Sequence, residues 1–185
     1  MALLKVVRPC MVAALVLGSV PALPAPTEAQ VKAVFLLNFA RFVEWPSVTY
    51  VSASAPFAVC VYGDDPFGTD LDTVVRGETA DGRPMIVRRL REPRDLSQCQ
   101  IVFIPADADR ELESVVAALD RRATLTVSDV EGAARRGAMI RMMNVNGRIR
   151  LRVNIDAVRA AHLTISSNLL RASEIIGGAA AGDDT

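Results

Sequence analysis

His162 is the only histidine in the sequence, so any Ser-His-Asp or Cys-His arrangement has to use it. Such chemistry needs a nucleophile within hydrogen-bond reach of the imidazole and a carboxylate that orients the ring. His162 stands in AVRAAHLTISS, near an expected helix end, with no nucleophile elbow and no orienting carboxylate at a recognisable spacing. A partly exposed structural histidine is the commoner explanation, and a hydrolase built on His162 is the weaker reading. Metal binding fares no better: there is no paired histidine, no cysteine cluster and no calcium-loop pattern. Gly63, Gly68, Gly77 and Gly82 fall in turns and match neither the dinucleotide-binding nor the P-loop glycine pattern. No catalytic residue, no metal and no cofactor is assigned.

Two basic clusters remain. One is Arg88, Arg89, Arg91 and Arg94; the other is Arg148, Arg150 and Arg152 on one face of an expected hairpin. A solvated strand face laced with acidic neighbours is the ordinary explanation of such a pattern. The functional alternative is an arginine-rich surface for an acidic protein partner or a small anion. The ends of the Trp45-Pro46 and Ser166-Ser167 segments are candidates to line a groove, although core packing accounts for Trp45 equally well.

The chain has 185 residues, of which 51% are hydrophobic and 23% charged, enough for one ordinary domain with a real core. Lys+Arg and Asp+Glu both number 21, which argues against a nucleic-acid binder driven by a basic field. Residues 1–22 read as a secretory signal peptide: Lys5 and Arg8 lead an apolar run, Cys10 to Val20, and small residues follow. Cleavage is expected after Ala22, or as late as Ala29. No later stretch approaches the length of a transmembrane segment, so the mature protein is expected to be soluble. Removing the leader takes both basic residues and no acid, leaving a mature excess of two acidic residues. It also takes Cys10 and leaves Cys60 and Cys99. An oxidising compartment favours their pairing over two free thiols or a shared metal. The loop so closed is about 40 residues, which the chain-entropy account values at roughly 4 kcal/mol.

The elements that position these residues follow from periodicity. PALPAP is a stiff linker, and Thr27 caps a helix expected from Glu28 to Trp45, so apolar that burial on more than one side is expected. FAVCVY (57–62), MIVRRL (85–90), IVFI (101–104) and Leu125–Val127 read as strands, the first as one covered on both faces. Helices are expected at Gly68–Val75 and Ala108–Arg121, with Ser128-Asp129 capping a further short one. Asn146-Gly147 between Ala138–Val145 and Arg148–Ile155 is a strong hairpin signal. Helices at Asp156–His162 and Ser167–Ile176 complete the domain, and Gly177–Thr185 reads as a disordered tail. The fold class is α/β: a single three-layer domain, residues 28–176, with a mixed, mostly parallel sheet and a C-terminal antiparallel hairpin.

Taken together, QVKAVFLLNFARFVEWP (30–46), GRPMIVRRL (82–90), CQIVFIP (99–105), LTVSD (125–129) and the segment from Gly137 to Arg171 resemble the YfiR-like family of exported regulatory proteins. The resemblance covers roughly residues 28–176. It implies a periplasmic α/β protein without enzymatic activity that represses an inner-membrane diguanylate cyclase by binding its periplasmic region. It further implies an outer-membrane lipoprotein that captures the repressor, raising cyclic-di-GMP and favouring biofilm growth. Homodimerisation and redox sensitivity are also associated with the family. Cys60 and Cys99 match a family disulfide; a second cysteine pair that some relatives carry around the positions of Ala134 and Arg141 is missing here. The rival reading is a periplasmic solute-binding module that uses the strand-end crevice of an α/β sheet.

Overall fold

The computed structural model describes residues 25–46, 49–50, 52, 54–120 and 122–178. The signal-peptide reading of residues 1–22 and most of the expected tail lie outside the described residues. Thr27 opens α1 (Glu28–Phe42) through a capping box: its hydroxyl accepts from the Gln30 amide, while the Gln30 side chain accepts from the Thr27 amide. The helix ends three residues before the expected Trp45. Val43–Glu44 form β1, antiparallel to β9 (Thr164–Ile165), so their backbone groups are satisfied across the chain rather than along the helix. The buried residues of α1 are Lys32, Ala33, Leu36, Phe39 and Ala40, while Val34 and Phe42 are exposed. The helix therefore buries one stripe, not several sides as its apolar content suggested.

The remaining strands are β2 (Phe57–Tyr62), β3 (Thr79–Ala80), β4 (Arg83–Leu90), β5 (Ile101–Ile104), β6 (Leu125–Ser128), β7 (Ile140–Val145), β8 (Arg148–Asn154) and β10 (Glu174–Ile176). They form one eight-stranded sheet in the order β10-β8-β7-β6-β5-β2-β4-β3. Only β7–β8 and β3–β4 pair antiparallel, so the sheet is mixed and mostly parallel. Every residue of β2, β5 and β6 is buried, as continuous apolar strands covered on both faces require.

Two clusters make the core. Phe57, Val59 and Val61 pack with Leu36 and Phe39 of α1 and with Leu71 and Val75 of α2 (Thr69–Val75). On the other face Ala58, Cys60 and Tyr62 pack with Leu112 and Val115 of α3 (Leu112–Ala118) and with Ala133 of a short 3-10 helix, Ala133–Arg136. Three layers result.

Other helix boundaries also differ from the periodic reading. The expected helix at 108–121 is a 3-10 segment, Ala106–Glu111, kinked within itself at Ala108 (φ −90°, ψ 27°), followed by α3. The last expected helix stops after α5 (Ser167–Arg171); Glu174–Ile176 leave it to pair parallel with β8. Between the hairpin and β9, α4 (Ile155–Ala160) is capped by the Asn154 side chain, which accepts from Ala157 N.

A candidate interaction face on the β7–β8 hairpin

The hairpin turns on Asn146 (φ 52°) and Gly147 (φ 76°), the paired left-handed conformations of a type I′ turn. The Asn144 side chain accepts from Gly147 N at 2.9 Å and steadies it. A two-residue turn places Val145 opposite Arg148, and the ladder continues with Met143 opposite Arg150 and Arg141 opposite Arg152. Ile140, Met142, Leu151 and Val153 are buried on the side of α1. Arg141, Arg148, Arg150 and Arg152 therefore share the opposite face. β6 pairs only with Ile140 and Arg141, so the rest of the hairpin runs on beyond its inner neighbour.

Arg148 and Arg150 are exposed and make no ion pair or hydrogen bond with a described residue. Arg152 is mostly covered and donates to the Glu174 carboxylate at 2.8 Å, which holds that carboxyl below its ordinary value. The Nε atoms of Arg141 and Arg152 are buried without a hydrogen-bond partner. Glu174 is the one acid paired to this group among the described residues. Acidic lacing is thus sparse here.

The other basic cluster is different. Arg89 bonds Asp65, Asp72 and the Gly68 carbonyl, Arg91 pairs with Asp64, Arg94 with Glu92, and Arg88 donates to Gln98. Those arginines fasten loops around the end of β4, and the charges of Arg89, Arg91 and Arg94 are locally matched.

Cys60 and Cys99 are bonded to one another with Cα atoms 5.9 Å apart, and both are fully buried. The bond joins the middle of β2 to the approach to β5, beneath α3. Buried in this way it is a structural brace with no exposed thiol.

His162 is exposed and its ring has no partner among the described residues. Its backbone is left-handed (φ 56°), and its amide donates to the Arg159 carbonyl to close α4. Among the described residues no group of three or more His, Cys, Asp or Glu is placed to hold a metal. Trp45 is buried, with its indole N–H on the Gln100 carbonyl at 3.2 Å and its ring edge-on to Phe57. Ser166 caps α5 through Leu169 N. Trp45 therefore belongs to the core, while Ser166 is half-buried and Ser167 exposed.

Sequence reasoning overlooked Arg141, although the signal was present. Counting back from a two-residue turn at Asn146-Gly147 puts residue 141 opposite 152. It also overlooked Lys32, buried on α1, whose ammonium pairs with Glu28 (2.5 Å) and the largely buried Asp129 (2.6 Å).

A family model described as YfiR/HmsC-like matches residues 29–174. That family is periplasmic, regulatory rather than catalytic, and associated with control of cyclic-di-GMP signalling. No curated protein matches the chain. No helix among the described residues is long and apolar enough to cross a membrane.

Proposed function

This chain belongs to the YfiR/HmsC-like family, and from that premise we propose that it is an exported periplasmic repressor of an inner-membrane diguanylate cyclase. It acts by contact with the periplasmic region of that enzyme. The arginine face of β7–β8 supplies the contact: four guanidinium groups, one matched acid, and a rigid strand backbone to hold them. Planar guanidinium groups suit acidic side chains presented by a partner, and such surfaces raise association rates and fix register.

Repression of this kind is differential binding. The repressor has to bind the inactive arrangement of the cyclase more tightly than the active one, by as much as the activity changes. An outer-membrane lipoprotein that binds the repressor lowers its free concentration and releases the cyclase, so cyclic-di-GMP and biofilm-type behaviour rise. The observation that carries this reading is the family match along residues 29–174. Export of the chain by residues 1–22, with the domain spanning 28–176, is part of the proposal.

Capture with tagged mature protein from envelope extract tests it. Recovery of a transmembrane cyclase, weakened at least tenfold by Arg148→Glu with Arg150→Glu, is the expected result. Recovery of nothing but the bait, or capture indifferent to both substitutions, counts against the proposal. Both positions are exposed strand sites, so the double variant should keep its fold to within about 0.5 kcal/mol per site.

A further inference from the structure

β2 and β5 are parallel neighbours whose chains depart in opposite directions, β2 towards β4 and β5 towards β6. Loops that diverge in this way open a crevice beyond the strand C-termini, the usual ligand position in open α/β sheets. A cavity of about 210 Å³ lies there. Tyr62 and Gly63 from the end of β2 line it, with Asp107 and Glu111 from the segment after β5. Gly63 has φ 82°, a conformation that glycine adopts without strain, and its amide donates to the Leu90 carbonyl at 2.8 Å.

Tyr62 is only 6% exposed, yet its hydroxyl makes no hydrogen bond to a described residue. The hydroxyl is not among the fully covered side-chain atoms, so it opens onto the crevice, where a ligand atom can reach it. Burial, followed by the Glu111 and Glu92 carboxylates, pushes this phenol above its usual range, so it stays neutral with lone pairs free to accept. The Asp107 and Glu111 carboxylates carry no ion pair among the described residues. The one cation on the rim, Arg91, is engaged by Asp64 at 2.6 Å. The crevice offers acceptors and negative charge.

We propose that this crevice binds a small organic solute bearing a primary ammonium group, held by the Tyr62 hydroxyl and the Asp107 and Glu111 carboxylates. An ammonium brings three N–H donors and needs three acceptors, which matches this set. A resident metal fits poorly, since no acid cluster among the described residues is placed to hold one. An anion would meet two unpaired carboxylates. The site is separate from the arginine face, and its occupancy is measurable without any partner protein.

Calorimetric titration of the purified mature chain with putrescine is the test, with butanediol as the uncharged analogue and calcium as the metal control. Putrescine should bind and butanediol should not. Tyr62→Phe, which keeps the ring packed, should weaken binding about threefold. Asp107→Asn with Glu111→Gln should weaken it about tenfold or more, and Glu131→Gln should leave it unchanged. No heat with putrescine, an equal loss in Glu131→Gln, or calcium binding that displaces putrescine would overturn the proposal.

Discussion

Arg141 and Arg152 face one another across the antiparallel β7–β8 ladder, and the Nε of each is buried without a hydrogen-bond partner. Like charges directly opposite on a sheet are destabilising, and Glu174 reaches only Arg152. A multivalent anion on this face, beside the exposed Arg148 and Arg150, would offset the repulsion. Sulfate should therefore raise the thermal midpoint more than chloride at matched ionic strength. At tenfold excess over its dissociation constant the gain is about 1.4 kcal/mol. Arg141→Met should shrink the difference to the non-specific stabilisation that sulfate gives any folded protein; an undiminished difference in that variant would place the anion elsewhere.

Cys60 and Cys99 are 39 residues apart, and the loop between them holds α2, β3 and β4. Cross-linking a loop of this length lowers the entropy of the unfolded chain by roughly 4 kcal/mol at room temperature. Cys60→Ala with Cys99→Ala should lower the unfolding free energy by about that amount and increase the denaturant slope, because the unlinked chain exposes more surface. Urea titrations of the oxidised protein and the double variant read both quantities. An unchanged midpoint would mean that the β2–β5 pairing alone carries this region.

Lys32 sits in the buried stripe of α1 with its ammonium against Glu28 and Asp129. Burial pulls its pKa down, but the hydrogen bonds it donates to the two carboxylates more than offset this and hold it above its ordinary value. Lys32→Met would keep the packing and leave the largely buried Asp129 carboxylate without its cation. Removing one member of a buried pair costs about 3 kcal/mol. Asp129→Asn with Lys32→Met should recover part of the loss, which a double-variant cycle in chemical denaturation would quantify.

The fully buried strands were legible because FAVCVY and IVFI are apolar at every position, a pattern that suits strands covered on both faces. The hairpin was legible because Asn-Gly supplies two left-handed residues in a row. What local pattern does not carry is pairing at a distance. Val43–Glu44 and Glu174–Ile176 read as helix continuations, and only β9 and β8, far along the chain, make them strands. Lys32 escaped notice because Asp129, 97 residues away, is brought to it only by the fold; Glu28, one turn back on α1, is local. The arginine face was half visible: alternation in 148–152 is local, whereas Arg141 joins it only through register.

Glu28 links the first turn of α1 to both Lys32 and Asn144, and these hydrogen bonds hold its carboxyl below its ordinary value. A depressed carboxyl stabilises the fold above its unfolded pKa, and that contribution is lost as pH falls through the lower folded value. Stability should therefore fall on acidification below about pH 4.5. Glu28→Gln should flatten this limb without altering the alkaline side. Denaturation midpoints followed across the acid range check the sign; a limb equally steep in the variant would assign the loss to other carboxylates.

His162 tests whether the lone imidazole matters for its chemistry or for its backbone. A non-glycine residue at φ 56° is strained, and the ring makes no hydrogen bond or ion pair with a described residue that would compensate. His162→Gly should thus be neutral or stabilising by up to about 1 kcal/mol, since relief of strain works against the extra freedom of the unfolded glycine. His162→Val, branched at Cβ, should be destabilising by more than that in the same assay. The proposed repression of a cyclase should be unaffected by His162→Gly. A variant that folds normally but loses repression would show that the imidazole itself participates, and would return the site to consideration as a reactive one.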